Sequence, residues 1–120
     1  PWPRQSYEEL APLDTVDIYV ACSSGNVVGY MLLQHIGPEM ELHTFAVKEN
    51  FRRHGIGRKL LDYMLSEARL LKVHKIFLLV RPSNVPARTL YEKIGFVSLG
   101  VRKGYYHDNN EDALVMKLEL

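Results

Sequence analysis

The run Asn50-Phe51-Arg52-Arg53-His54-Gly55-Ile56-Gly57-Arg58-Lys59-Leu60-Leu61 constrains this chain more than any other stretch. Two glycines one residue apart sit among basic residues, and a helical repeat begins at once. Glycine lets a backbone turn so that successive N–H groups face one anion. A helix that follows directs the positive end of its dipole to the same point. The run therefore predicts a strand, a phosphate-holding turn and an amphipathic helix, in that order.

The flanking pattern supplies those elements. Thr15 to Cys22 alternates, with Val16, Ile18, Val20 and Cys22 on one face, and reads as a strand. Ser23-Ser24-Gly25-Asn26 is a turn cluster, and Val27 to Ile36 completes a hairpin. Gly37-Pro38 breaks the chain before a third strand, Glu41 to Val47. From Gly57 to Lys72 the period is helical: Ile56, Leu60, Leu61, Met64, Leu65, Ala68 and Leu71 fall on one side, against Arg58, Asp62, Glu67 and Arg69. Ile76 to Val80 is a continuous apolar run, the expected form of a central parallel strand covered on both faces. Asn84 caps a second helix that Gly95 ends. Strands follow at Phe96 to Val101 and Ala113 to Leu120, with a polar, aromatic loop between them. Ser6 to Leu10 suits a short helix. The expected fold is one α/β domain over residues 1–120: a mixed sheet with helices on both faces.

Composition excludes several classes. A net charge of +1 is too small for a nucleic-acid binder, and no apolar run approaches the ~20 residues of a membrane span. The lone Cys22 forms no internal disulfide, which suits a reducing cytoplasm. His35, His74 and His107 lack metal-ligand spacing and read as surface residues, so no metal is expected.

The loop itself is of a particular kind. A P-loop needs Gly-Lys-Ser/Thr, and Arg58-Lys59-Leu60 follows here instead. A dinucleotide fingerprint needs a third glycine where Leu60 stands. What remains, Arg52-x-x-Gly55-x-Gly57, resembles the acyl-CoA pyrophosphate loop of the GNAT acetyltransferase superfamily. Arg81-Pro82-Ser83-Asn84, with Ala87, Leu90-Tyr91-Glu92 and Ile94-Gly95-Phe96, resembles the second signature of that family. Lys103-Gly104-Tyr105-Tyr106 and Glu111-Asp112-Ala113 resemble the tail of its RimI-like branch, the N-terminal protein acetyltransferases.

The resemblance implies a mostly antiparallel GNAT-like sheet and transfer of acetyl from acetyl-CoA to an amine. It places the co-substrate on Arg52, Arg53, His54, Gly55, Ile56, Gly57 and Arg58, on the backbone of Phe45, Ala46 and Val47, and on Asn84. For Asn84 the residue-level alternative, a plain helix cap, stays open. Tyr91 is the candidate general acid, because a phenol near pKa ~10 can protonate a thiolate. Its alternative is a helix tyrosine packing on the core. A valine at Gly57 is expected to block close approach of the co-substrate while the fold survives.

The base departs from the resemblance. Two residues before the Arg-x-Ser-Asn stretch, where relatives carry Glu or His, this chain has Leu79. Glu41 and His43 lie two apart on the preceding strand and so share a side. Either can serve as base, through one water for Glu41, or the neutral amine reacts unaided. Tyr105 and Tyr106 are expected to line the acceptor groove, with Pro1 through Leu10 resembling its other wall. The first strand and helix of the family are missing from the pattern. An unpaired strand edge implies a homodimer or a further N-terminal segment. The acceptor implied is a protein or peptide N-terminus, of the ribosomal-protein or nascent-chain type, with no nucleic acid and no membrane involved. The alternatives are a lysine or small-molecule amine, or a catalytically weak CoA-binding relative.

Overall fold

The computed structural model describes residues 15–52 and 55–120. The expected helix over 6–10 and the groove wall from Pro1 to Leu10 lie outside the described residues, as do Arg53 and His54. The order is β1 (Thr15–Ser23), β2 (Asn26–Ile36), β3 (Glu39–Val47), a 3-10 turn (Glu49–Phe51), α1 (Ile56–Leu70), β4 (Lys75–Val80), α2 (Val85–Ile94), β5 (Val97–Arg102) and β6 (Ala113–Glu119). The six strands form one sheet in the order β1-β2-β3-β4-β6-β5. Only β3 and β4 run parallel; every other neighbouring pair is antiparallel.

Directly paired residues share a face of the sheet. The pairs Met31–Phe45, Leu33–Leu42, His35–Met40, Met40–Ile76, Leu42–Leu78 and Leu78–Met116 therefore define one face. Leu60, Leu61, Met64 and Ala68 of α1 and Tyr91 of α2 are buried against that face in a single cluster. The mixed, mostly antiparallel sheet is as expected. The two described helices, however, pack on the same face rather than one on each.

Two strands carry their apolar residues differently from expectation. In β1 the face of Ile18 and Val20 points away from the helices and is about half exposed, at 51% and 54%, while Tyr19 and Ala21 pack toward the core. Tyr19 also donates its hydroxyl hydrogen to Glu67 of α1, at 3.5 Å. In β4 only Ile76, Leu78 and Val80 are buried. Phe77 and Leu79 open onto a cavity on the other face, so this strand is not covered on both sides. His74 and His107 are exposed as expected. His35 is instead partly buried, and its Nε2 has no hydrogen-bond partner among the described residues.

Candidate active site

The parallel ladder between β3 and β4 is short. It joins Glu39–Leu42 to Lys75–Leu78 and goes no further. Beyond it the strands diverge, and Phe45, Ala46 and Val47 stay bonded to β2 with their other edge open among the described residues. The β2–β3 register also slips here, since Leu32 faces Thr44 while Leu33 faces Leu42. His43 is the extra residue of this bulge. Bulges re-aim side chains and end pairing, and both effects occur at this point.

Two cavities lie along β3, one on each side of Thr44. The larger, about 960 Å³, is lined by Phe45–Val47, Arg52, Gly55, Gly57, Arg58, Asn84 and the first turns of α2. The smaller, about 460 Å³, is lined by Glu41, His43, Phe77, Leu79, Tyr105 and Tyr106, with Leu42, Leu78, Arg102 and Val115. Along β3, residues 41–43 border one cavity and 45–47 the other, with Thr44 between.

The larger cavity suits an anion at one end. The α1 N-terminus has no capping side chain and no acidic residue in its first turn. Its leading N–H groups lack helical partners and open toward the cavity. Arg52 is fixed beside them by Nε donating to the Val47 carbonyl, at 3.1 Å. Arg58 lines the same end and pairs with Asp62 across one helical turn, at 3.0 Å. Gly55 stands at φ +78°, in the left-handed region, so its turn requires glycine. Gly57 serves another purpose. A Cβ there would lie 3.2 Å from Phe45 Cζ and 3.3 Å from Leu90 Cδ2. Side chains of β3 and α2 therefore crowd this position, which also borders the larger cavity. Ile56 turns its side chain toward Gly29 and does not line the larger cavity.

Both roles weighed for Asn84 are compatible with its position. Its Oδ1 accepts from the Ala87 N–H at 3.3 Å, capping α2. Its side chain also borders the larger cavity, and its amide nitrogen has no protein partner among the described residues.

Tyr91 lies 5% exposed between Phe45 and Phe96, with ring centroids 5.9 and 5.7 Å away. Burial, and after it the neighbouring Tyr106, pushes its phenol well above the usual tyrosine range. It lines neither cavity directly. It packs against the Phe45 that does.

The smaller cavity gathers the remaining expected residues. Glu41 and His43 face it together, 3.4 Å apart. His43 Nε2 bonds the buried Gln34 Oε1 at 2.5 Å. Tyr105 and Tyr106 meet edge to face at 5.0 Å. Arg102 lies 5.1 Å from the Tyr105 ring and Arg81 3.9 Å from the Tyr106 ring. Sequence reasoning missed Phe77, Val115 and Arg102, whose alternation along their strands resembles that of any sheet residue. It noted Arg81 only as part of a motif and Leu79 only as an absent base.

Residues 1–96 match the family model described as the acetyltransferase (GNAT) family. The chain is 37% identical to the N-alpha-acetyltransferase RimI of Mycobacterium tuberculosis, over 98% of this chain and 75% of that one. Its fold superposes with a TM-score of 0.83 on the crystal structure of the ribosomal-protein-S18-alanine N-acetyltransferase from Escherichia coli, at 30% identity. That match covers 99% of this chain and 77% of the other. A GNAT family acetyltransferase from Elizabethkingia anophelis, solved with acetyl-CoA bound, matches with a TM-score of 0.79 at 25% identity, over 88% and 76% of the two chains.

Proposed function

The chain belongs to the acetyltransferase (GNAT) family, and we propose that it transfers acetyl from acetyl-CoA to the α-amine of a protein or peptide N-terminus, in the cytoplasm. The observation that carries this reading is the placement of two unlike cavities along β3, on either side of Thr44 where the β3–β4 ladder has ended. One ends in an uncapped helix N-terminus flanked by Arg52 and Arg58, suited to a pyrophosphate. The other combines a carboxylate, an imidazole and two tyrosines over an apolar floor, suited to an amine at the end of a short extended peptide. Relatives whose names specify N-terminal acetylation support that choice of acceptor. No helix among the described residues is long and apolar enough to cross a membrane.

Each residue then has a task. The open edge of β3 at Phe45–Val47 pairs with the pantetheine arm as an added strand, and Asn84 Nδ2 donates to one of its amide carbonyls. A backbone N–H of the same edge polarises the thioester carbonyl. Glu41, through one water, or His43 takes the proton of the attacking amine. The C–N bond forms, the C–S bond breaks, and Tyr91 gives its phenolic proton to the departing sulfur. Burial raises the phenol, so it keeps its proton until the sulfur departs.

The test is thiol release from acetyl-CoA with short peptides, free or Nα-blocked. Turnover of free N-termini alone is the expected result. Turnover of blocked peptides containing lysine would instead assign the ε-amine as acceptor. Binding of acetyl-CoA without turnover of any peptide would leave a CoA-binding relative, with Leu79 at the base position as the reason.

A further inference from the structure

The loop over 103–112 carries both tyrosines of the smaller cavity, and it contains no helix or strand that would hold it in place. Its backbone supplies few of its own anchors. The Tyr106 N–H bonds the Glu111 carbonyl at 3.1 Å, and the Gly104 N–H bonds Asp112 Oδ1 at 2.8 Å. One side chain from outside the loop reaches four of its residues. Arg81, in the turn between β4 and α2, donates through Nη2 to both Asp108 oxygens, at 2.9 and 3.0 Å. Through Nη1 it donates to Asn109 Oδ1 at 3.1 Å and to Glu111 Oε1 at 3.4 Å. Its flat face lies 3.9 Å from the centre of the Tyr106 ring. Ser83, two residues on, adds its N–H to Glu111 Oε2 at 2.8 Å and its hydroxyl to Oε1 at 3.0 Å.

A guanidinium can bind a carboxylate with two parallel N–H donors and stack on an aromatic ring in the same pose; an ammonium cannot do both. The carboxyls of Asp108 and Glu111 are accordingly held below their ordinary range. For Asp108 the first cause is Arg81, and for Glu111 it is the Ser83 N–H. Asn84, which borders the larger cavity, follows Ser83 directly. One short turn thus touches the co-substrate side through Asn84 and the acceptor side through Arg81.

We propose that Arg81 is a positioning residue for the acceptor: its guanidinium clamps the 103–112 loop so that Tyr106, and Tyr105 set edge to face against it, wall the cavity where the N-terminus sits. Arg81 does not touch the reacting atoms. This role rests on the acceptor reading given above, and the test separates the two. In Arg81→Met the KM for a free-N-terminus peptide rises about tenfold or more, while kcat and the KM for acetyl-CoA stay within about threefold. Arg81→Lys recovers only part of the loss, because the charge returns and the fork does not. Asp108→Ala, a substitution at an exposed loop residue, shifts the peptide KM in the same direction by less.

Amide hydrogen exchange supplies a readout that needs no acceptor. Exchange at Tyr106 and Glu111 speeds up at least tenfold in Arg81→Met, while amides of α1 and β2 are unchanged. An unchanged loop in that experiment overturns the proposal outright. So does a loosened loop with an unchanged peptide KM, since the clamp would then not serve the acceptor. A wild-type protein that acetylates no peptide, with the loop loosened by Arg81→Met, overturns the acceptor reading and leaves the clamp itself standing.

Discussion

Tyr91 combines two properties that rarely coincide at a surface tyrosine: it is buried, and its ring packs on the residue that borders the co-substrate cavity. Because burial raises its phenol, it stays protonated to strongly alkaline pH and is always in the form an acid needs. Tyr91→Phe is expected to lower kcat by about 10²-fold, the usual contribution of general acid–base catalysis, with peptide and acetyl-CoA KM values near those of the parent. The parent's kcat should show no descending limb below pH ~10, because no proton leaves Tyr91 in that range. A kcat unaffected by the substitution removes Tyr91 from the chemistry. Glu41 follows the opposite logic. It serves only while the amine is protonated, and an α-amine has pKa ~8. Glu41→Gln should cost about tenfold in kcat/KM at pH 7, where about one amine in ten is already neutral, and progressively less above pH 8. A deficit that stays constant from pH 7 to 9.5 would assign Glu41 to binding instead.

At the scale of the element, α1 shows what a sequence discloses and what it hides. Its approximate extent and most of its buried stripe were legible, because a 3.6-residue period and a Gly-x-Gly entry are local signals, although Leu71, expected on that stripe, is exposed just past the helix end. So was the Asn84 cap with its Gly95 stop, which the Ala87 hydrogen bond and the helix end reproduce. The reason for Gly57 was not legible. Its neighbours Phe45 and Leu90 come from elements 12 residues before it and 33 after it, and no local pattern brings them together. Gly57→Val should therefore destabilise the fold by about 1–3 kcal/mol through overpacking, read as a lower urea midpoint. Gly55→Ala, where a Cβ meets nothing but φ is +78°, should cost about 1 kcal/mol through backbone strain alone. An unchanged midpoint for Gly57→Val would restore the ligand as the reason for that glycine. The same limit applies to β1 and β4. Alternation shows that two faces differ, but only the assembled sheet decides which of them the helices cover.

At the scale of the whole molecule, the described residues form two three-stranded halves, β1-β2-β3 and β4-β6-β5, joined by one parallel ladder of four residue pairs. The common core beneath the ladder, with α1 and α2 reaching across, holds the halves together. The bulge at His43 and the open edge at 45–47 follow from this arrangement, and neither is marked in the sequence, because where a ladder stops depends on both partners. A ligand seated in the divergence would add a strand-like bridge where the protein lacks one. It would bind the folded chain and not the unfolded one, so it stabilises by mass action: about 2.7 kcal/mol at a concentration 100 times its Kd. For a chain of this size that is a rise in Tm of about 10 °C. Acetyl-CoA should produce that rise, and pantetheine without its nucleotide should produce much less, since it leaves the α1 N-terminus, Arg52 and Arg58 unused. Hydrogen exchange should slow most at Phe45, Ala46 and Val47, the residues whose outer edge the bridge would cover. A Tm that does not respond to millimolar acetyl-CoA, with no protection at those three amides, would mean that the divergence is not where the co-substrate binds.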